Sequence, residues 1–207
     1  MELDEVLAEL RRAADPNRLT GMARYGIATD SALGVTVTEL RAIARRLGRD
    51  HALASALWDT GIHEARILAT IVDDPMRVTP AQAASWVADI RSWDLCDGLC
   101  GNLLDRTPFA LDTAVEWSER DEEFVKRAGF VLMATSAVHR KDLSDERFEA
   151  LLPIIRSGAF DDRNTVKKSV SWALRQIGKR GPSLHPRAVA TAEEIRAIGS
   201  RPARWIA

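Results

Sequence analysis

The sequence predicts an all-α protein folded as an α-solenoid, a curved stack of antiparallel helix pairs. Apolar residues recur at the three- and four-residue spacing of a helix along almost the whole chain. No segment alternates apolar and polar residues between turn residues, so no strand is expected. Turn residues divide the chain into helices whose pairs span roughly 35–40 residues, a length typical of two-helix repeats.

The first half of the chain carries apolar stripes that each predict one helix. In order they are Leu3-Val6-Leu7-Leu10, Leu40-Ile43-Ala44-Leu47, Leu53-Leu57-Trp58, Ile67-Leu68-Ile71-Val72 and Trp86-Val87-Ile90. Thr36 and Glu39 predict a capping box in front of the second helix. Thr79 and Pro80 predict an N-cap and a first-turn proline for the last of these helices, with Gln82 completing the box.

The second half continues the pattern with longer stripes. They are Leu95-Leu99-Leu103, Phe109-Ala110-Ala114-Trp117, Phe124-Ala128-Val131-Leu132, Phe148-Leu151-Leu152-Ile155 and Val166-Val170-Ala173-Leu174-Ile177. A weaker helix is predicted from about Arg187 to Ile198. Stacked HEAT-type pairs of such helices would form a concave face suited to a large partner, whereas a compact helical bundle is the alternative that periodicity leaves open. No linker interrupts the chain, so residues 1–207 are predicted to form a single domain.

Composition narrows the possible functions. Lys and Arg total 29 against 30 Asp and Glu, a net charge of -1, so a polyanionic partner would have to meet a local basic patch. Two cysteines imply no disulfide framework, which makes the cytosol the default location. The charged N-terminal segment is unlike a secretory signal, and the longest apolar run, residues 128–138, is too short to span a bilayer.

Several familiar chemistries are excluded by their missing motifs. His63 and Glu64 begin like the zinc motif HExxH, but Ile67 occupies the position of its second histidine. Cys96 and Cys100 share a helix face without two further ligands nearby in the sequence, so no metal site is predicted. The chain also lacks GxSxG, Walker A and GxGxxG motifs.

A tryptophan and an aspartate stand side by side in the segment from Ser92 to Gly98. Trp93 and Asp97 are four residues apart and therefore project together from one helix face. The plainer interpretation is that Asp94 caps the helix, Trp93 packs in the core and Asp97 faces solvent.

A basic segment runs from Asp161 to Arg187, with seven basic residues against two acidic ones. Lys168, Trp172, Arg175 and Lys179 fall on one face of one helix, with apolar residues opposite. Cations interleaved with an aromatic suit contact with phosphates and sugars, and an ordinary solvated face is the alternative. A weaker cluster, Arg41, Arg45, Arg46 and Arg49, lies on an early helix.

Taken together, these pieces resemble the AlkD-type DNA alkylation repair proteins, which are HEAT-like repeat DNA glycosylases. The matching pieces occur in the family's order over roughly residues 20–180. They are Gly34-Val35, Leu57-Trp58, His63-Glu64-Ala65-Arg66, Ser92-Trp93-Asp94-Leu95-Cys96-Asp97, Lys126-Arg127-Ala128 and Lys167-Lys168-Ser169-Val170-Ser171-Trp172-Ala173-Leu174-Arg175.

The resemblance implies roles for individual residues. It places the family's catalytic aspartate on Asp97, its paired tryptophan on Trp93, the arginine near the lesion on Arg127 and a second tryptophan on Trp172. Lys167, Lys168, Arg175 and Lys179 are the cations expected to bind DNA. The implied activity is excision of cationic N3- and N7-alkylated purines from duplex DNA, with no metal or other cofactor.

Two other functions remain open at this stage. A non-catalytic relative could bind damaged or branched DNA, and a protein-binding HEAT scaffold could use the same concave face for a protein partner. The expected location is the cytoplasm, in association with the nucleoid, and the expected state is a monomer.

Overall fold

The computed structural model describes residues 2–207, and helices account for nearly all of its regular structure. No strand occurs within that range, so the all-α prediction is confirmed. Contacts divide the chain into two compact units, one ending at Leu103 and the other running from Leu104 to Ala207. The single domain over residues 1–207 stays a prediction. Across residues 2–207, no helix has the length and apolar character needed to cross a membrane.

The first unit contains seven helices within the described residues. They are α1 (Leu3–Arg12), α2 (Asn17–Arg24), α3 (Val37–Leu47), α4 (His51–Asp59), α5 (His63–Val72), α6 (Pro80–Ala88) and α7 (Trp93–Asn102). The central helix α5 packs against α1, α3, α4 and α7, which explains why most of its residues are buried. Trp58 of α4 and Trp86 of α6 stack face to face in this core, with ring centroids 4.2 Å apart.

Differences from the predicted helices follow from burial and from local hydrogen bonds. No residue of α2 is buried, so this helix lacks the apolar stripe that would have predicted it. The capping box of Thr36 and Glu39 is confirmed. The N-cap Thr79 and the first-turn Pro80 are confirmed, but the Gln82 side chain does not complete a box and donates to Asp73 Oδ2 at 2.8 Å.

The second unit is built around one long buried helix. Its elements are a 3-10 turn (Leu104–Arg106), α8 (Ala110–Ser118), α9 (Glu123–His139), α10 (Asp145–Glu149), α11 (Leu152–Gly158), α12 (Asn164–Arg180), α13 (Leu184–Ala197) and α14 (Arg201–Ile206). Helix α9 lies between α8 and α12 and is buried on nearly all sides. The stripe from Phe148 to Ile155 predicted one helix but spans two, because Pro153 fits only in the first turn of a new helix, α11.

Close packing of α8 on α9 depends on Gly129, and we expect Gly129→Ala to destabilise the protein by about 2 kcal/mol. An added Cβ would lie 2.5 Å from the Ser118 nitrogen and 2.8 Å from the Ala114 oxygen, both backbone atoms that cannot move independently. Urea unfolding measures the change. Gly21→Ala is the matched control, because a Cβ on this glycine of α2 would meet no atom within 4 Å. Equal stability of the two variants would contradict the packing argument.

Candidate functional site

Helix α7 brings Trp93 and Asp97 to the same face in the first unit. Leu95, Cys96, Leu99 and Cys100 are buried and fix which side of the helix faces the core. Trp93 and Asp97 are both half-buried, one helical turn apart. The Trp93 indole Nε1 donates a hydrogen bond of 2.8 Å to the backbone oxygen of Tyr25, which orients the ring. The predicted pairing of these two side chains on one helix face is therefore present.

The start of α7 is held by a pair formed between the buried His63 and the half-buried Asp94. His63 Nε2 lies 2.7 Å from Asp94 Oδ2, and the Ser92 hydroxyl donates to Asp94 Oδ1 at 2.8 Å. Burial alone would raise the pKa of Asp94, but the hydrogen bond and charge of His63, together with the Ser92 hydroxyl, outweigh it and lower that pKa. Ser92, not Asp94, occupies the N-cap position, and Asp94 anchors the first turn to α5.

We expect Asp94→Asn to lower the free energy of unfolding at neutral pH, by an amount that shrinks in acid. A folded-state pKa below the ordinary 3.8 means that the carboxylate stabilises the fold above that pH. This contribution is lost as the pH falls through the lowered pKa. Urea midpoints at about pH 7 and about pH 3 measure the change. Asp59→Asn, at an exposed site of α4, is the control, and a pH-independent difference for Asp94→Asn would contradict this account.

Glu64 anchors a loop beside the same helix. Its carboxylate is 1% exposed and accepts hydrogen bonds from the backbone nitrogens of Leu33 and Gly34, at 2.8 and 2.7 Å. Gly34 has a φ of 81°, and a Cβ there would lie 2.2 Å from the Asp15 oxygen, so only glycine fits. Glu64 thus fixes the loop at Leu33 and Gly34, where its backbone passes close to the backbone of Asp15.

Arg66 completes the structural role of the His63–Arg66 segment. Its Nε donates to the Trp58 oxygen at 3.1 Å, and its guanidinium also pairs with Asp89 at 3.3 Å. In the sequence, this segment excludes a zinc motif and contributes to a family resemblance. Its positioning of the α7 segment was missed, because the partners are distant in the sequence.

Arg127 and Trp172 belong to two packed helices of the second unit. Arg127 on α9 is 5% exposed, and its Nη1 donates to the Thr165 oxygen in the first turn of α12 at 2.5 Å. Trp172 is half-buried two turns further along α12. Arg127 therefore ties α9 to the helix that carries Trp172, and its contact with DNA stays a prediction.

The basic face predicted on α12 is exposed. Lys168, Arg175 and Lys179 are all exposed, while the apolar residues opposite them are buried. Lys167 lies at the side of this face, with Nζ 5.1 Å from the centre of the Trp205 ring. Their binding to DNA stays a prediction. Among residues 2–207, no group of three or more His, Cys, Asp or Glu side chains could hold a metal ion.

A protein family model and a solved structure each match this chain over nearly its whole length. A family model described as DNA alkylation repair enzyme matches residues 6–204. A search of curated proteins found no match. One solved structure has a TM-score of 0.84 at 22% identity, with 94% of this chain and 83% of the other covered. That protein is described as one of a new family related to the HEAT-like repeat DNA glycosylases, with affinity for branched DNA structures. The likeness confirms the predicted HEAT-like fold.

Proposed function

Because the chain belongs to the DNA alkylation repair enzyme family, we propose that it is a DNA glycosylase for cationic N3- and N7-alkylated purines in duplex DNA. In this proposal it acts as a monomer, without a metal or other cofactor, on nucleoid DNA in the cytoplasm. The pairing of Trp93 with Asp97 on α7 is the observation that carries the proposal. An aromatic face beside a carboxylate suits a reaction that develops positive charge on a sugar.

The proposed reaction needs only one carboxylate. An alkylated purine already carries a positive charge, so it leaves with the electron pair of the glycosidic bond and becomes neutral without a general acid. The deoxyribose passes through an oxocarbenium-like transition state, as in glycoside hydrolysis. Asp97 stabilises this charge and orients a water molecule whose oxygen bonds to the anomeric carbon, and Asp97 accepts the proton that this water loses.

The other predicted residues have supporting roles in this proposal. Trp93 contributes a ring face that packs on the deoxyribose and stabilises its developing charge. Trp172, in the second unit, contributes a ring face that packs on a sugar of the DNA. Arg127, to which the family resemblance assigns the arginine near the lesion, is 5% exposed and supports DNA binding by holding the first turn of α12. Lys167, Lys168, Arg175 and Lys179 bind phosphates, which makes affinity for DNA strongly dependent on salt.

A second function is favoured by the solved relative, whose description stresses affinity for branched DNA. In this alternative the same basic face of α12 binds DNA at a junction, and no base is released. Phosphate contacts are common to both functions, so salt-sensitive binding alone does not separate them.

Single-turnover base release separates the two functions. The substrate is a duplex with one N7-methylguanine, at low salt, with the protein in excess. Release well above the spontaneous rate supports the glycosylase. Release at the spontaneous rate, with tighter binding to a four-way junction than to a linear duplex, supports the non-catalytic function instead. An undamaged duplex of the same sequence is the control for both measurements.

A further inference from the structure

The C-terminal helix α14 presents an aromatic and two cations to solvent. Ala203 and Ile206 are buried and dock α14 on the second unit. Arg201, Arg204 and Trp205 are exposed and therefore lie on the opposite face of this short helix. The Trp205 side chain is 52% exposed, which is unusual for so large an apolar ring.

Lys167 joins this face to α12. Its ammonium lies 5.1 Å from the centre of the Trp205 ring, within the range of a cation–π contact. This contact places the indole beside α12, and about half of the Trp205 surface remains accessible. Helix α12 carries Lys168 and Arg175 on its exposed face, and α14 packs against α12 within the second unit.

The charged side chains of α12 and α14 are all positive. Neither α12 nor α14 contains an aspartate or glutamate. Within residues 2–207, no ion pair is formed by Lys168, Arg175, Arg201 or Arg204.

Two arginines on neighbouring helices, unlike those of α14, do form ion pairs with carboxylates. Arg156 of α11 pairs with Glu194 at 3.1 Å, and Arg187 of α13 pairs with Glu149 at 3.4 Å. Cations that lack carboxylate partners and flank an exposed indole are complementary to a polyanion with apolar sugar edges.

We propose that Arg201, Arg204 and Trp205 of α14 extend the DNA-binding surface of α12 and hold the phosphodiester backbone of duplex DNA. Arg201 and Arg204 neutralise phosphates, and the exposed face of Trp205 packs on a deoxyribose between them. This inference rests on the proposed function for its ligand, DNA, but does not depend on base release.

The test measures binding of an undamaged fluorescent duplex between about 50 and 200 mM salt, the range over which phosphate contacts dominate. The variant with Arg201→Ala and Arg204→Ala should bind about tenfold more weakly at low salt. The slope of log affinity against log salt should fall by about 2, or about 1 for each lost phosphate contact. Trp205→Ala should weaken binding several-fold with little change in slope, because it removes no charge.

The matched control removes two arginines that already have carboxylate partners. The variant with Arg156→Ala and Arg187→Ala should leave the salt slope near that of the wild type. A slope unchanged by loss of Arg201 and Arg204, in a variant that melts like the wild type, would overturn the inference. Stronger retention of the wild type on anionic vesicles than on duplex would also overturn it in favour of a lipid surface.

Failure of the inference and failure of the glycosylase proposal give different results. A wild type that binds duplex but releases no N7-methylguanine contradicts the glycosylase alone, and the salt slopes still decide the role of α14. A wild type that releases the base, with slopes unaffected by the α14 variant, contradicts the α14 surface alone. A wild type with no salt-sensitive binding to DNA contradicts both.

Discussion

Asp97→Asn is expected to slow single-turnover release of N7-methylguanine by at least about 100-fold, the loss typical when one transition-state charge contact is removed. The amide keeps the size of the side chain but cannot balance a developing positive charge or accept a proton from water. DNA affinity should stay unchanged or rise, because one negative charge near the phosphates is lost.

The measurement compares release rates at saturating protein, so that a change in affinity does not enter the rate. Asp59→Asn is the control, because it removes the same charge from an exposed position of α4 in the same unit. The proposed catalytic role of Asp97 would be abandoned if Asp97→Asn released the base at the wild-type rate. A loss of both release and thermal stability would instead indicate a structural role.

Glu64→Ala should be the most destabilising of the substitutions considered, by about 3 kcal/mol. The carboxylate is 1% exposed and satisfies two backbone nitrogens, those of Leu33 and Gly34. Removing it leaves both donors without their acceptor, and buried unsatisfied donors each cost about 1–3 kcal/mol. A domain is typically stable by only about 5–15 kcal/mol, so the loss is large.

Urea unfolding of the purified protein measures this loss. Glu64→Gln is the informative partner variant, because its amide oxygen can still accept a hydrogen bond and should recover part of the stability. Glu39→Ala is the control, because this carboxylate is partly exposed and serves a capping box at the start of α3. Its loss should cost about 1 kcal/mol. Equal losses of unfolding free energy for Glu64→Ala and Glu39→Ala would show that the loop at Leu33 and Gly34 does not depend on Glu64.

Helices with a buried stripe could be predicted from the sequence, and helices without one could not. Most of the repeated apolar residues of α3, α5 and α9 are buried, so periodicity located these elements. Helix α2 has no buried residue, and α14 buries only Ala203 and Ile206, so neither helix has an apolar stripe that predicts it from the sequence. Pro153 is the residue from which the division between α10 and α11 could have been predicted, because proline is tolerated only in the first turn of a helix.

Contacts of the candidate site that lie within one helix could be predicted from the sequence, whereas contacts between helices could not. The pairing of Trp93 with Asp97 follows from a four-residue spacing on one helix. The contact of Arg127 with the Thr165 oxygen joins residues 38 apart, and Lys167 meets Trp205 across a similar separation. Spacing along the chain carries no information about such contacts, because they depend on how whole helices pack.

The two cysteines give α7 a built-in chemical reporter. Cys96 and Cys100 are the only thiols of the chain, and both are fully buried on the helix that carries Trp93 and Asp97. A thiol reagent can reach them only when α7 unfolds locally, so the labelling rate of the native protein measures how often this helix opens. Any ligand that binds across the α7 face must suppress that opening, and its affinity can be obtained from slower labelling without any engineered probe.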